Sequence, residues 1–246
     1  MRGVPRISMV IPAYNEELLL PRLLDSIDAA RATYSAGPAE VEVIVADNAS
    51  SDATARLAEA RGCRVVTVPK RMIAAARNGG AAVAGAEILC FIDADSVIHP
   101  RTFDVIEATL ASGRYVGGAT GVRMERWSLG IVVTWILFIP MVWLAQMDTG
   151  VVFCRREDFR AVSGYPEDRL FAEDVAFLLR LRRLGRGRGQ RLARATAAKA
   201  VASARKFDDH GDWHYFTMIA QTVPSLLRGS KAATDWAVRY WYKPPR

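Results

Sequence analysis

Asp93 and Asp95 stand one residue apart in the run ILCFIDADSV, residues 88–97. The apolar stretch Ile88 to Ile92 reads as a buried strand, so both carboxylates emerge where that strand ends. Like charges held this close repel, and burying them unpaired is costly. A cation resolves the conflict. Carboxylate oxygens are hard ligands suited to Mg²⁺ or Mn²⁺, which in turn bridge substrate phosphates. The pattern alone is weak, because about one Asp-x-Asp arises by chance in a chain of this length. A strand-end turn with two solvated aspartates has the same text.

The elements around the pair raise its weight. ISMVIPA (7–13), VEVIVAD (41–47), CRVVTV (63–68) and 87–93 read as strands. Between them lie helical patterns: one through Leu20, Leu23, Leu24 and Ile27, one over 53–61 capped by Ser51-Asp52, and an Ala-rich one over 72–85. Such alternation predicts an α/β fold with a mostly parallel sheet flanked by helices, in which ligands bind at the carboxyl ends of the strands. Tyr14-Asn15, Asp47 and Asp93-Asp95 all fall there. Further on, 115–124 and 149–156 read as strands, 174–184 as an amphipathic helix, 185–189 as a turn, and 213–228 as a last helix.

With 246 residues, 51% hydrophobic and 24% charged, the chain has the composition of a globular protein and excludes a disordered one. Its net charge of +7 favours anionic partners. Cys63, Cys90 and Cys154 are widely spaced with no CxxC pair, which indicates neither a disulfide framework nor a cysteine zinc site. The N-terminal apolar run stops at Asn15-Glu16-Glu17 and lacks the form of a signal peptide. A cytoplasmic setting is the expectation, with a peripheral place on the cytoplasmic membrane face admitted by the features below.

Four segments occur in order: VIPAYNEE (10–17), VADNASSDAT (45–54), AARNGGAAVAGAEILCFIDADS (75–96) and FAEDVAFLLRLRRLG (171–185). Over about residues 7–185 the series resembles the family 2 glycosyltransferases, inverting enzymes with the GT-A nucleotide-sugar fold. The resemblance implies a nucleotide-sugar donor, UDP-linked in most members and GDP-linked in some, and a Mg²⁺ or Mn²⁺ cofactor. It implies that Pro12, Ala13 and Tyr14 line the nucleoside pocket, that Asp47 bonds the base, and that Arg77 or Arg71 approaches the nucleotide. Asp95 matches the metal ligand, Asp93 the carboxylate toward ribose and metal, and Asp174 the catalytic base, with Glu173 beside it. Residues 1–98 would then form the donor half, 99–212 the acceptor and catalytic half, and 213–246 a C-terminal helix and basic tail. One departure stands out: the commoner family text has two acids where this chain has Ala46-Asp47 or Asp47-Asn48. Without the ordered series, Glu173-Asp174 would read as helix-start acids and Asp52 reads as a capping group.

Trp127 to Met147 are uncharged throughout, long enough for a membrane span of about 20 residues. A single crossing there would put Asp95 and Asp174 on opposite sides of the bilayer. The segment is therefore expected as a buried helix, an apolar contact between copies of the chain, or an interfacial helix. Arg180, Arg182, Arg183, Arg186, Arg188, Arg191 and Arg194 form a basic run compatible with anionic lipid or a solvated face; no nucleic-acid module accompanies it. In SARKFDDHGDWH (203–214), Arg205 and Lys206 are candidates to meet a diphosphate or acceptor phosphate, and His210 to complete the metal shell. The resulting expectation is sugar transfer to a hydroxyl or phosphate of a lipid-linked or glycan acceptor in cell-envelope synthesis. Two alternatives compete with it. A sugar nucleotidyltransferase would place a Gly-rich basic loop after the first strand, where this chain has YNEE. A non-catalytic membrane-associated binding protein would not need Asp95 and Asp174.

Overall fold

A computed structural model describes residues 3–130, 132–133, 136, 148–168, 173–203, 205, 208 and 211–213. The strands are β1 (Ile7–Ala13), β2 (Val41–Asp47), β3 (Arg64–Thr67), β4 (Ile88–Phe91), β5 (Tyr115–Ala119), β6 (Val122–Met124), β7 (Val152–Arg155), β8 (Arg191–Arg194) and β9 (Ala200–Ala202). Seven of them form a central sheet of order β3-β2-β1-β4-β7-β5-β8. β7 runs antiparallel to both β4 and β5, and the other neighbours are parallel. A second small sheet pairs β6 with β9.

Alternation along the strands divides the core into two layers. Ile7, Met9 and Ile11 of β1 pack with α1 (Leu20–Thr33) and α4 (Thr102–Ala111) on one face. Val10, Ile44, Leu89 and Phe91 pack with α3 (Ile73–Val83), α5 (Arg156–Ala161) and α6 (Glu173–Arg186) on the other. α2 (Thr54–Ala60) joins β2 to β3. Cover on both faces explains the near-continuous apolar runs of the central strands. α3 lies unusually close to the sheet because its buried face is Ala74, Ala75, Ala76, Gly80 and Ala81. A Cβ on Gly80 would drive into the Val10 side chain.

The segment 115–124, expected as one strand, is two. Thr120 and Gly121 break it, with Gly121 at φ 77°, and the chain leaves the large sheet for the small one. Thr120 ties this corner to Val151 in both directions: its N–H donates to the Val151 carbonyl, and its Oγ1 accepts from the Val151 N–H, each at 3.1 Å. The expected turn over 185–189 is shortened, because α6 runs on through Gly185 to Arg186. Residues 213–228 lie outside the described residues beyond Trp213, and so does most of 127–147. Among the described residues no helix is long and apolar enough to cross a membrane.

Candidate active site

β1 and β4 separate at their carboxyl ends for a reason written in the sequence. The Val10 carbonyl accepts from the Ile92 N–H at 3.2 Å, the last bond of that ladder. Pro12, two residues on, faces the same neighbour but has no N–H to contribute. β2 continues beside β1 to the Ala13–Asp47 pair, while the Asp93–Asp95 turn diverges. The resulting crevice is where Pro12, Ala13, Tyr14, Asp47, Asp93 and Asp95 come together along one edge of the sheet.

On the β1–β2 side, Pro12, Ala13 and Asp47 are buried and Tyr14 half-buried. Asp47 Oδ1 accepts from the Ser50 N–H at 3.3 Å. Arg71 lies over the Tyr14 ring at 5.1 Å, a cation–π contact that joins two candidate nucleotide residues. Asn48, one of the two neutral neighbours of Asp47, is buried and bonded to the chain itself. Its amide donates to the Val68 and Lys70 carbonyls at 2.9 and 2.7 Å and accepts from the Met72 N–H at 2.9 Å. It therefore shapes the loop carrying Arg71. Asn48→Ala strands these backbone groups and is expected to lower stability by roughly 2 kcal/mol, measurable by urea unfolding. Asp52 accepts from Glu17 N–H at 3.2 Å and Thr54 N–H at 2.9 Å, clasping the loop after β1 to the start of α2.

The opposite side is built by α3 and α6. Arg77 is buried and bridges two carboxylates: Nη2 donates to Asp93 at 2.8 Å and Nη1 to Glu173 at 2.7 Å. Its guanidinium also lies over the Tyr165 ring at 5.0 Å. Burial works against the Arg77 charge, but Asp93, Tyr165, Glu173 and Asp174 more than offset it and hold the proton more firmly than usual. Burial likewise pushes the Glu173 carboxyl up from the ordinary value, with Arg77 opposing. Asp174, half-buried in the first turn of α6, accepts from the Val175 N–H at 2.8 Å. Tyr165 joins the site with no motif to mark it in the sequence, and Asn78 with only its place beside Arg77 in the segment 75–96. Tyr165 stacks on Phe177 of α6 at 4.2 Å, and Asn78 exchanges bonds with the Tyr165 backbone.

A third edge comes from the chain after β9. Val97 and Val201 form a bridge, so β9 delivers the following residues beside the Asp93–Asp95 turn. Arg205 binds Glu16 with two bonds of 2.9 and 3.0 Å and lies 3.6 Å from Asp95. Lys206 and His210 lie outside the described residues. In the basic run, Arg188 pairs with buried Asp158 at 2.5 Å and Arg194 with Asp148 at 2.6 Å, so these two charges serve the fold.

The carboxylates fit a divalent ion. Glu16 and Asp95 already turn toward one cation, Arg205, and Asp93 is half-exposed beside them. Among the described residues no three His, Cys, Asp or Glu side chains gather as a complete cage.

Residues 8–154 match the family described as Glycosyl transferase family 2. The chain belongs to this family. Its α/β architecture, with a mixed, mostly parallel seven-stranded sheet, is that of GT-A glycosyltransferases. It is 37% identical over 105 residues to validoxylamine A glucosyltransferase of Streptomyces hygroscopicus subsp. limoneus, covering 40% of this chain and 22% of that protein. It is 45% identical over 69 residues to undecaprenyl-phosphate 4-deoxy-4-formamido-L-arabinose transferase of Klebsiella pneumoniae, covering 26% and 20%. The mannosyltransferase PcManGT from Pyrobaculum calidifontis, solved with GDP-Man and Mn²⁺, shares the fold at TM-score 0.61 and 20% identity, over 82% of this chain and 57% of that one. The matched region spans about a fifth of the length of these two curated relatives.

Proposed function

We propose that this family 2 member transfers a sugar, with inversion, from a UDP- or GDP-linked donor to a hydroxyl or phosphate of a lipid-linked or glycan acceptor. The observation that supports the reading is the Arg77 bridge, which ties Asp93 after β4 to Glu173, the neighbour of Asp174, while Asp47 ends the β2 strand beside β1. The mannosyltransferase of the same fold, solved with GDP-Man and Mn²⁺, supports the donor class and the ion. The name of the Klebsiella relative supports a polyprenyl phosphate acceptor.

Pro12, Ala13 and Tyr14 form the wall of the nucleoside pocket, and the buried Asp47 carboxylate accepts from the base. Arg71, packed on Tyr14, stands on the nucleotide side. Asp95, with Asp93, would hold the divalent ion, and Asp93 also faces the ribose. The bound ion supplies charge neutralisation to the leaving diphosphate. Arg205, beside Glu16 and Asp95, is the candidate to meet phosphate oxygens, with Lys206 next to it in the sequence, and His210 is the candidate third protein ligand. With a hydroxyl acceptor, Asp174 takes the proton as the acceptor oxygen bonds to the anomeric carbon and the bond to the diphosphate breaks; an ionised phosphate oxygen attacks without giving up a proton. Asp174 Oδ1 engages the Val175 N–H, which leaves Oδ2 for that proton. A single displacement of this kind inverts the anomeric centre. The test is incubation with a panel of nucleotide sugars, Mn²⁺ and polyprenyl phosphate or glycan acceptors, followed by NMR of the product. Inverted product is expected; retained configuration contradicts a one-step transfer.

Membrane contact is part of the same proposal. Trp127, Leu129, Ile136 and Trp213 are exposed around the beginning of the uncharged segment. Apolar side chains with tryptophan at the edge suit the interfacial region of a bilayer. Co-sedimentation with liposomes is expected for the wild type and weakened by Trp127→Glu/Ile136→Glu; equal sedimentation of the two would remove the membrane from the account.

A further inference from the structure

We infer that Arg77 is a positioning residue that locks the donor-side turn of β4 to the catalytic helix α6, and that it does not contact the nucleotide. The inference rests on the glycosyl-transfer reading above. The Arg77 side chain is only 8% exposed, and the two ends of its guanidinium are each occupied by a carboxylate from a different element. Its face is occupied too, by the Tyr165 ring. Among the described residues the Nε has no hydrogen-bond partner but is fully buried, so it does not reach the crevice surface.

The connection it makes is long in sequence and short in space. Arg77 and Glu173 are 96 residues apart, and Glu173 directly precedes Asp174 at the start of α6. Fixing Glu173 therefore fixes the backbone from which Asp174 projects. The other arm fixes Asp93, which is half-exposed at the mouth of the crevice and has to hold its place there. The small-residue face of α3 makes the bridge feasible, since a bulkier residue at Gly80 would lift the helix from Val10 and carry Arg77 away. Tyr165, in the loop after α5 and stacked on Phe177 of α6, backs the guanidinium. An ammonium cannot reproduce this, because a lysine presents one charge centre where two carboxylates need a planar fork.

The experiment measures steady-state kinetics and nucleoside diphosphate affinity for the full chain and for Arg77→Lys, Glu173→Gln and the double variant. Arg77→Met is avoided as sole evidence because it would leave Glu173 buried beside no cation. Each single variant is expected to lower kcat by about 10- to 100-fold, as loss of a supporting contact does, while donor KM and nucleotide affinity stay within about threefold. The double variant is expected to lose little beyond the worse single one, since both break the same link. A large rise in donor KM at unchanged kcat would make Arg77 a nucleotide ligand and overturn the inference. Full additivity of the two substitutions would overturn it as well. A wild type that turns over no donor overturns the glycosyl-transfer reading and the positioning role together, whereas either of the former results in an active wild type removes the positioning role alone.

Discussion

Asp174→Asn is expected to lower sugar transfer by about 10²- to 10⁴-fold, the usual worth of a positioned general base. The substitution is nearly isosteric. Its amide oxygen can still accept from the Val175 N–H, so the first turn of α6 keeps its geometry. Glu173 keeps its bond to Arg77, so the bridge to Asp93 also survives. What disappears is the oxygen proposed to take the acceptor proton. The loss should therefore fall on kcat, with donor KM and nucleotide affinity nearly unchanged. Stopped assays of acceptor glycosylation beside isothermal titration of the nucleotide make the comparison. A loss below about tenfold would assign the base to another group.

Asp95→Ala is the second large effect. Its carboxylate is proposed as the firmer of the two metal ligands, and removing such an electrostatic clamp on a leaving group costs about 10²–10³ in rate. Arg205 retains both bonds to Glu16 when the 3.6 Å contact with Asp95 is gone. The diagnostic reading is a Mn²⁺ titration at fixed donor. The variant should need far more Mn²⁺ to reach its reduced maximum. An unchanged Mn²⁺ requirement would remove Asp95 from the metal site.

Much of the proposed donor side is legible in the residues alone. β1, β2 and β4 announce themselves as apolar runs, and carboxylates at strand ends must share an edge once the strands are parallel neighbours. Asp47 and the Asp93–Asp95 turn follow from that logic. The catalytic side is less legible because its contacts are distant in sequence. Glu173 looks like an ordinary helix-start acid until α3 brings Arg77 within 2.7 Å of it. The text of Arg77 likewise shows a charge but not its partners, and its bonds to Asp93 and Glu173 come from the fold.

Other elements are hidden by composition. β8 lies inside the arginine run at Arg191–Arg194, where a basic surface is the natural reading. The antiparallel course of β7 between β4 and β5 is a matter of pairing order, which local patterning does not encode. The Thr120-Gly121 corner leaves only a small mark, a glycine needing positive φ within a stretch of strand-like residues. Asn48 stands out as a neutral residue beside Asp47, but its three bonds across the turn to residues 68–72 depend on a loop that local patterning leaves undefined.

The most direct test of the central claim is release of nucleoside diphosphate. The wild type, Asp95→Ala and Asp174→Asn are each incubated with UDP- and GDP-sugars, acceptor and Mn²⁺, and the freed diphosphate is quantified. The wild type should release nucleoside diphosphate from one donor class only when the ion is present, and both variants should fall by at least about a hundredfold. Pyrophosphate in place of nucleoside diphosphate, or undiminished release by both variants, would contradict the account.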